Sequence, residues 1–192
     1  MNRASQVRAS WVLATSSAGK SRELSELLAP LDLDISPQSA FGVQSCEEPF
    51  LGFVENALAK ARHASAKTGL PAFADDSGLM VSALKGRPGV RTSDYDWRWL
   101  LGEMQHVPEG ERAAAFICVL VAIRAPDDPL PLIAQGRWHG SISLEAHGES
   151  GFGYDPVFFD SAMGCTAAQM TVDQKNARSH RGQAARALLA AW

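Results

Sequence analysis

Two apolar periods alternate along the chain and divide it into strands and helices. Trp11 to Ala14 is an unbroken apolar run that predicts a buried strand, and Lys20 to Leu31 follows with Leu24, Leu27, Leu28 and Leu31 at helical spacing. Leu33 to Ser36 predicts a second strand, and Pro37 to Gly52 reads as loop. From Phe53 the helical period returns at Val54, Ala57, Leu58, Ala61 and Ala64, with Gly69 and Pro71 as the stop. Ala72 to Ala74 predicts a buried strand that halts at a turn, Asp75-Asp76-Ser77-Gly78. Gly86 to Gly89 is a further turn, and Trp97, Leu100, Leu101 and Met104 mark a short helix. Ala113 to Arg124 and Leu132 to Ile142 read as a long strand and its return, joined at Asp127-Asp128-Pro129. Thr171 to Gln174 matches a capping box, and an Ala/Leu-rich helix runs on to Trp192. An antiparallel ribbon set among βα units predicts an α/β (mixed α+β) chain with a mixed sheet.

Composition narrows the class. A chain of 192 residues buries roughly 70% of its unfolded surface without staples. Lys+Arg 18 against Asp+Glu 21 gives a net charge of -3, which argues against a nucleic-acid polymer as partner and leaves a small phosphorylated ligand open. The cysteines Cys46, Cys118 and Cys165 form no C-x-x-C pair, which fits a reducing compartment. The longest apolar run, Ala113 to Ile123, falls short of the ~20 residues that span a bilayer, and Met1 to Ser10 has no hydrophobic signal core. The expectation is a soluble cytoplasmic protein with no membrane contact.

Candidate chemistry gathers where polar residues interrupt these patterns. Asp75 and Asp76 follow a buried run, so they either reach solvent as a turn or hold a cation, and neighbouring carboxylates repel. Thr15 to Lys20 offers hydroxyls, a glycine, a cation and a helix start, which suits a phosphate or serves as an ordinary cap. Glu55, Asn56, Lys60 and Arg62 stand off the apolar stripe, where a solvated face accounts for them equally well. Glycines around Phe152 could frame a ring against which a base stacks, or a packed turn. Lys175, His180 and Arg181 are donors ahead of the last helix.

Together these segments resemble the inosine/xanthosine triphosphate pyrophosphatase family, also called Ham1-like. The likeness rests on Ala14-Thr15 through Gly19-Lys20, Phe53 to Ala57 with Lys60-Ala61, Asp75 to Leu79, Gly86 with Pro88-Gly89, Gly151 to Pro156, and Lys175 with Ser179 to Gly182. It implies one domain over 1–192, a two-lobed fold with a long central mixed sheet flanked by helices, a substrate cleft between the lobes, and a homodimer. The implied reaction takes dITP, ITP or XTP with water and Mg2+ to the monophosphate and pyrophosphate. Carried over by position, Thr15, Ser16, Ser17, Ala18, Gly19 and Lys20 hold the triphosphate, with Lys20 as the fixed cation. Asp76 becomes the catalytic acceptor and a magnesium ligand, and Ser77 contacts substrate. Glu48 is the second metal-side acid, with Glu47 beside it as the alternative. Phe152, Gly153, Tyr154, Asp155, Lys175, His180 and Arg181 line the base and sugar pocket. Three features depart from the family pattern: Ser17 replaces an asparagine, Gln169 replaces a glutamate that could support a metal site, and the segment from Arg91 to Trp97 is short.

Two other readings predict different chemistry. Gly19-Lys20-Ser21 ends like a P-loop, with Ala14 in place of its first glycine, and predicts an ATP-dependent phosphotransferase. A non-catalytic purine nucleotide sensor would keep the pocket without turnover.

Overall fold

The computed structural model describes residues 8–192, so most of the stretch read as lacking a leader core lies outside the described residues. In chain order the elements are β1 (Ser10–Ala14), α1 (Ala18–Leu28), β2 (Asp34–Pro37), α2 (Phe53–Thr68), β3 (Ala72–Val81), β4 (Pro88–Gly89), α3 (Trp97–Glu103), β5 (Ala113–Ile123), β6 (Leu132–Ile142), β7 (Phe158–Asp160), β8 (Cys165–Thr166), α4 (Val172–Arg178) and α5 (His180–Ala191). The strands form one 8-stranded sheet in the order β2-β1-β3-β5-β6-β7-β8, with β4 paired to β3. β1 runs parallel to β2 and β3, and the remaining pairs are antiparallel, so the sheet is mixed as expected.

Helices cover both faces of one half. Leu24 and Leu28 of α1 and Ala184, Ala185 and Leu188 of α5 pack on Leu13, Phe73 and Leu120. Across the sheet, Ala57, Ala61 and Ala64 of α2 meet Val12, Ala74, Val119 and Val121. A fully buried leucine such as Leu24 stabilises this layer by roughly 2 kcal/mol. The other half has its own core of Leu79, Val81, Leu100, Met104, Phe116, Trp138, Ile142 and Phe158. β3, β5 and β6 contribute to both cores and pass through the waist between the lobes.

Three sequence expectations are corrected. β3 does not halt at Ser77-Gly78; it continues to Val81 and stays in register with β5 through Asp76↔Val119 and Ser77↔Cys118. The ladder persists because its buried carboxylates find cations, and because Gly78 leaves room for neighbours. A Cβ there would lie 2.7 Å from Thr92 Oγ1 and 2.9 Å from Phe53 Cε1. α1 begins at Ala18 rather than Lys20, since Ser17 already caps it. His180 and Arg181 do not precede the last helix but open it as the first residues of α5 after the cap at Ser179, whereas Lys175 does lie ahead of it, on α4. Among the described residues no helix is long and apolar enough to cross a membrane.

Candidate active site

The waist opens into a cavity of about 390 Å³, within the range of small-ligand sites. Lys20 and Asp76 line it together with Phe152 and His180, so both sets of candidates share one space. Mid-β3 contributes Asp76, Ser77 and Gly78. The β1–α1 turn adds Thr15, Ser16, Ser17 and Lys20. There the Thr15 hydroxyl accepts the Ser17 N–H at 3.3 Å, and the Ser17 hydroxyl accepts the Lys20 N–H at 3.4 Å. No acid occupies the first turn of α1, so free N–H groups and Lys20 give this wall positive character suited to phosphates. Opposite stand Phe152, Gly153, Tyr154, Asp155, His180 and Arg181. The Tyr154 hydroxyl donates to the Thr92 carbonyl at 3.1 Å, fastening this wall to the rim that contains the short 91–97 segment.

Strand alternation sends Asp75 and Asp76 to opposite faces, so the pair read from the sequence as repelling takes different direct partners. Asp76 accepts from Lys60 Nζ at 2.8 Å and from Asn56 Nδ2 at 3.3 Å, and Lys60 also donates to Glu48 at 2.9 Å. Burial pushes the Asp76 pKa up to about 6, opposed by Lys60 and assisted by Glu48. Burial also acts on Lys60, lowering its pKa, but Asp75, Asp76 and Glu48 outweigh that and raise it. Asp75 goes the other way. Burial would raise it, yet Lys20, Arg181, Lys60 and the Ser77 hydroxyl hold it at about 2. One aspartate is therefore a fixed anion at neutral pH, and its neighbour is poised to exchange a proton.

Behind the opposite wall runs a chain of alternating charges. Asp155 pairs with Lys175 at 2.6 Å, Lys175 with Glu23 at 2.8 Å, and Glu23 with Arg181 at 2.8 Å. Arg181 then lies 3.8 Å from Asp75, which lies 3.4 Å from Lys20. Phe152 sits against this chain, its ring centroid 4.8 Å from Lys175 Nζ and 5.2 Å from Arg181 Cζ. His180 is buried and stacked on Phe116 at 4.7 Å and 11°, with neither ring nitrogen bonded to the protein. Burial, then Arg181, Lys175 and Lys20, push its pKa well below the usual value, so the ring is neutral, with one donor and one acceptor nitrogen.

Glu48 lines the cavity whereas Glu47 does not. Among the described residues no group of three or more His, Cys, Asp or Glu side chains could enclose a metal. The carboxylates of Glu48 and Asp76 are hard oxygen donors of the kind that suit a divalent cation.

Ala18, Gly19 and Lys175 lie just outside the cavity, Lys175 being tucked behind Phe152. Gln169, which stands where the family resemblance places a glutamate, accepts the Thr166 N–H at 2.9 Å and caps a short 3-10 turn. Its uncharged amide suits that cap. The sequence reading gave no role to Asn56, Lys60 or Glu23, which the fold makes central. Their signal was spacing: Asn56 and Lys60 are four apart on α2, and Glu23 is three from Lys20 on α1, so each pair shares a helix face.

The Ham1 family profile matches residues 11–191. A dITP/XTP pyrophosphatase of Photorhabdus laumondii is 51% identical over 187 residues, covering 93% of this chain and 95% of that protein. One from Thioalkalivibrio sulfidiphilus is 52% identical over 187 residues, with 93% and 95% covered. The structure of a HAM1 protein from Coxiella burnetii superposes with a TM-score of 0.87 at 42% identity, covering 95% of this chain and 98% of that one.

Proposed function

Since the chain belongs to the Ham1 family, we propose that it hydrolyses deaminated purine nucleoside triphosphates, namely dITP, ITP and XTP, to the monophosphate and pyrophosphate. It is a hydrolase of phosphoric anhydride bonds that clears such nucleotides from the pool. The observation that carries this reading is the single cavity in which a cationic, hydroxyl-rich turn and a poised carboxylate face an aromatic, donor-bearing wall.

In this mechanism Thr15, Ser16, Ser17 and Lys20 grip the phosphates. Asp76 accepts a proton from a water whose oxygen bonds to the α-phosphorus, and the bond from that phosphorus to the bridging oxygen breaks to release pyrophosphate. Lys60 keeps Asp76 ionised and Asn56 holds its second oxygen. Asp76 and Glu48 would hold magnesium, which when bound neutralises charge on the phosphates. Hypoxanthine and xanthine carry a carbonyl at C6 where adenine carries an amino group. A donor from Arg181 or the backbone after it bonds the first and confronts another donor in the second, a mismatch that can reach roughly 10⁴- to 10⁵-fold. The net charge of -3 supports a free nucleotide as partner, without a nucleic-acid polymer or a membrane. A cytoplasmic homodimer completes the proposal on the family resemblance.

A panel of nucleoside triphosphates assayed for pyrophosphate tests this: release from dITP, ITP and XTP should exceed release from ATP by ~10²-fold or more. Free phosphate as the product, a preference for ATP, or binding without turnover would overturn it. The acid limb of the pH profile follows from Asp76. Activity should fall as pH drops through about 6 under limiting magnesium, as the carboxylate takes up a proton. Raising magnesium should move that limb to lower pH, because metal and proton compete for the same oxygens. A limb unmoved by magnesium would remove Asp76 from the metal set.

A further inference from the structure

Gly19 occupies the first turn of α1 with ordinary helical backbone, not one of the left-handed conformations that call for glycine. Intrinsic helix propensity favours alanine there. What a side chain would meet explains the glycine. A Cβ built on Gly19 would lie 2.8 Å from Cδ1, 2.9 Å from Cε1 and 3.1 Å from Cγ of Phe152, and these are its nearest neighbours. The conflict is with a ring rather than with backbone, so the ring is what must move. Lys175 and Arg181, held by Glu23, Asp155 and Asp75, limit where it can go.

We infer that Gly19 is a specificity-determining positioning residue: its missing side chain lets the Phe152 ring seat against the helix that starts the phosphate wall, and this contact fixes where the purine lies. The inference rests on the pyrophosphatase reading but assigns Gly19 a task distinct from holding phosphate. The two walls then communicate directly, since α1 sets the ring's place without touching the base. An added methyl displaces the ring and so weakens base contact more than phosphate contact.

Steady-state pyrophosphate release from ITP and ATP by G19A, F152L and the double variant tests this. G19A should raise KM for ITP about 10-fold, change kcat less, and lower the ITP-over-ATP ratio. In the F152L background, where the smaller side chain leaves room for the methyl, the same change should alter KM by less than about 2-fold. The melting temperature of G19A should equal or exceed that of the unsubstituted protein. An unchanged KM and ratio in G19A, or an equal rise in both backgrounds at any melting temperature, overturns the inference. Unsubstituted protein that releases no pyrophosphate from ITP overturns the underlying reading instead.

Discussion

Replacing Asp76 with asparagine should cut pyrophosphate release from ITP by at least ~10²-fold. The amide keeps the shape and can still face Asn56 and Lys60, but it cannot take a proton from water and is a poorer metal ligand. Stability should move the other way. A carboxyl whose pKa is raised in the fold contributes favourably when protonated, so Asp76 helps below its ordinary 3.8 and that help is lost as pH rises through about 6. At neutral pH the ionised group works against the folded state, and the asparagine variant should melt no lower than the parent. Near-native turnover in Asp76→Asn would refute the role. Asp75 has the opposite sign: its contribution is present above 3.8 and is lost as pH falls through about 2.

The second large effect is expected at Lys60→Met. Methionine approximates the stem but removes the charge that Asp76 and Glu48 share at 2.8 and 2.9 Å. Removing one partner of a buried pair is strongly destabilising unless the remaining carboxylate takes up a proton, and Asp76 is already close to doing so. Turnover at about pH 7 should fall ~10- to 10²-fold, with the acid limb displaced to higher pH and part of the rate regained under alkaline conditions. That alkaline recovery separates an electrostatic role from a packing role. A uniform loss across the pH range would assign Lys60 to packing alone.

Much of the scaffold was legible because its signals are local. β5 is a long apolar run, β6 a long strand that alternates buried and exposed positions, and an Asp-Pro turn joins them; the β6 bounds agree with those read from the pattern. α2 ends where Gly69 adopts φ 69, the left-handed cap its sequence position predicts. The waist was less legible, because charges inside a strand look like the end of one. Only the cations brought by α1, α2 and α5 make Asp75 and Asp76 tolerable in mid-strand. Lys60 stands off an apolar stripe, which is also the mark of a solvated face. Glu23 meets Lys175 and Arg181 across 152 and 158 residues, a separation at which no local spacing rule operates. Motif resemblance named Thr15, Lys20, Asp76, Phe152 and Arg181 among the residues that line the cavity, but did not show that Lys175 props Phe152 from behind.

The lobes share β3, β5 and β6, which stay hydrogen-bonded to one another as they pass between the two cores. Bending such a ribbon requires twist to be shared over many peptide units, so it joins the lobes more stiffly than a loose tether would. Asp76 belongs to this ribbon, so its carboxylate is carried by backbone paired along a ladder, whereas Tyr95 and Phe152 reach the cavity from the loops outside it. The frame that joins the lobes is thereby also the mount of the proposed proton acceptor.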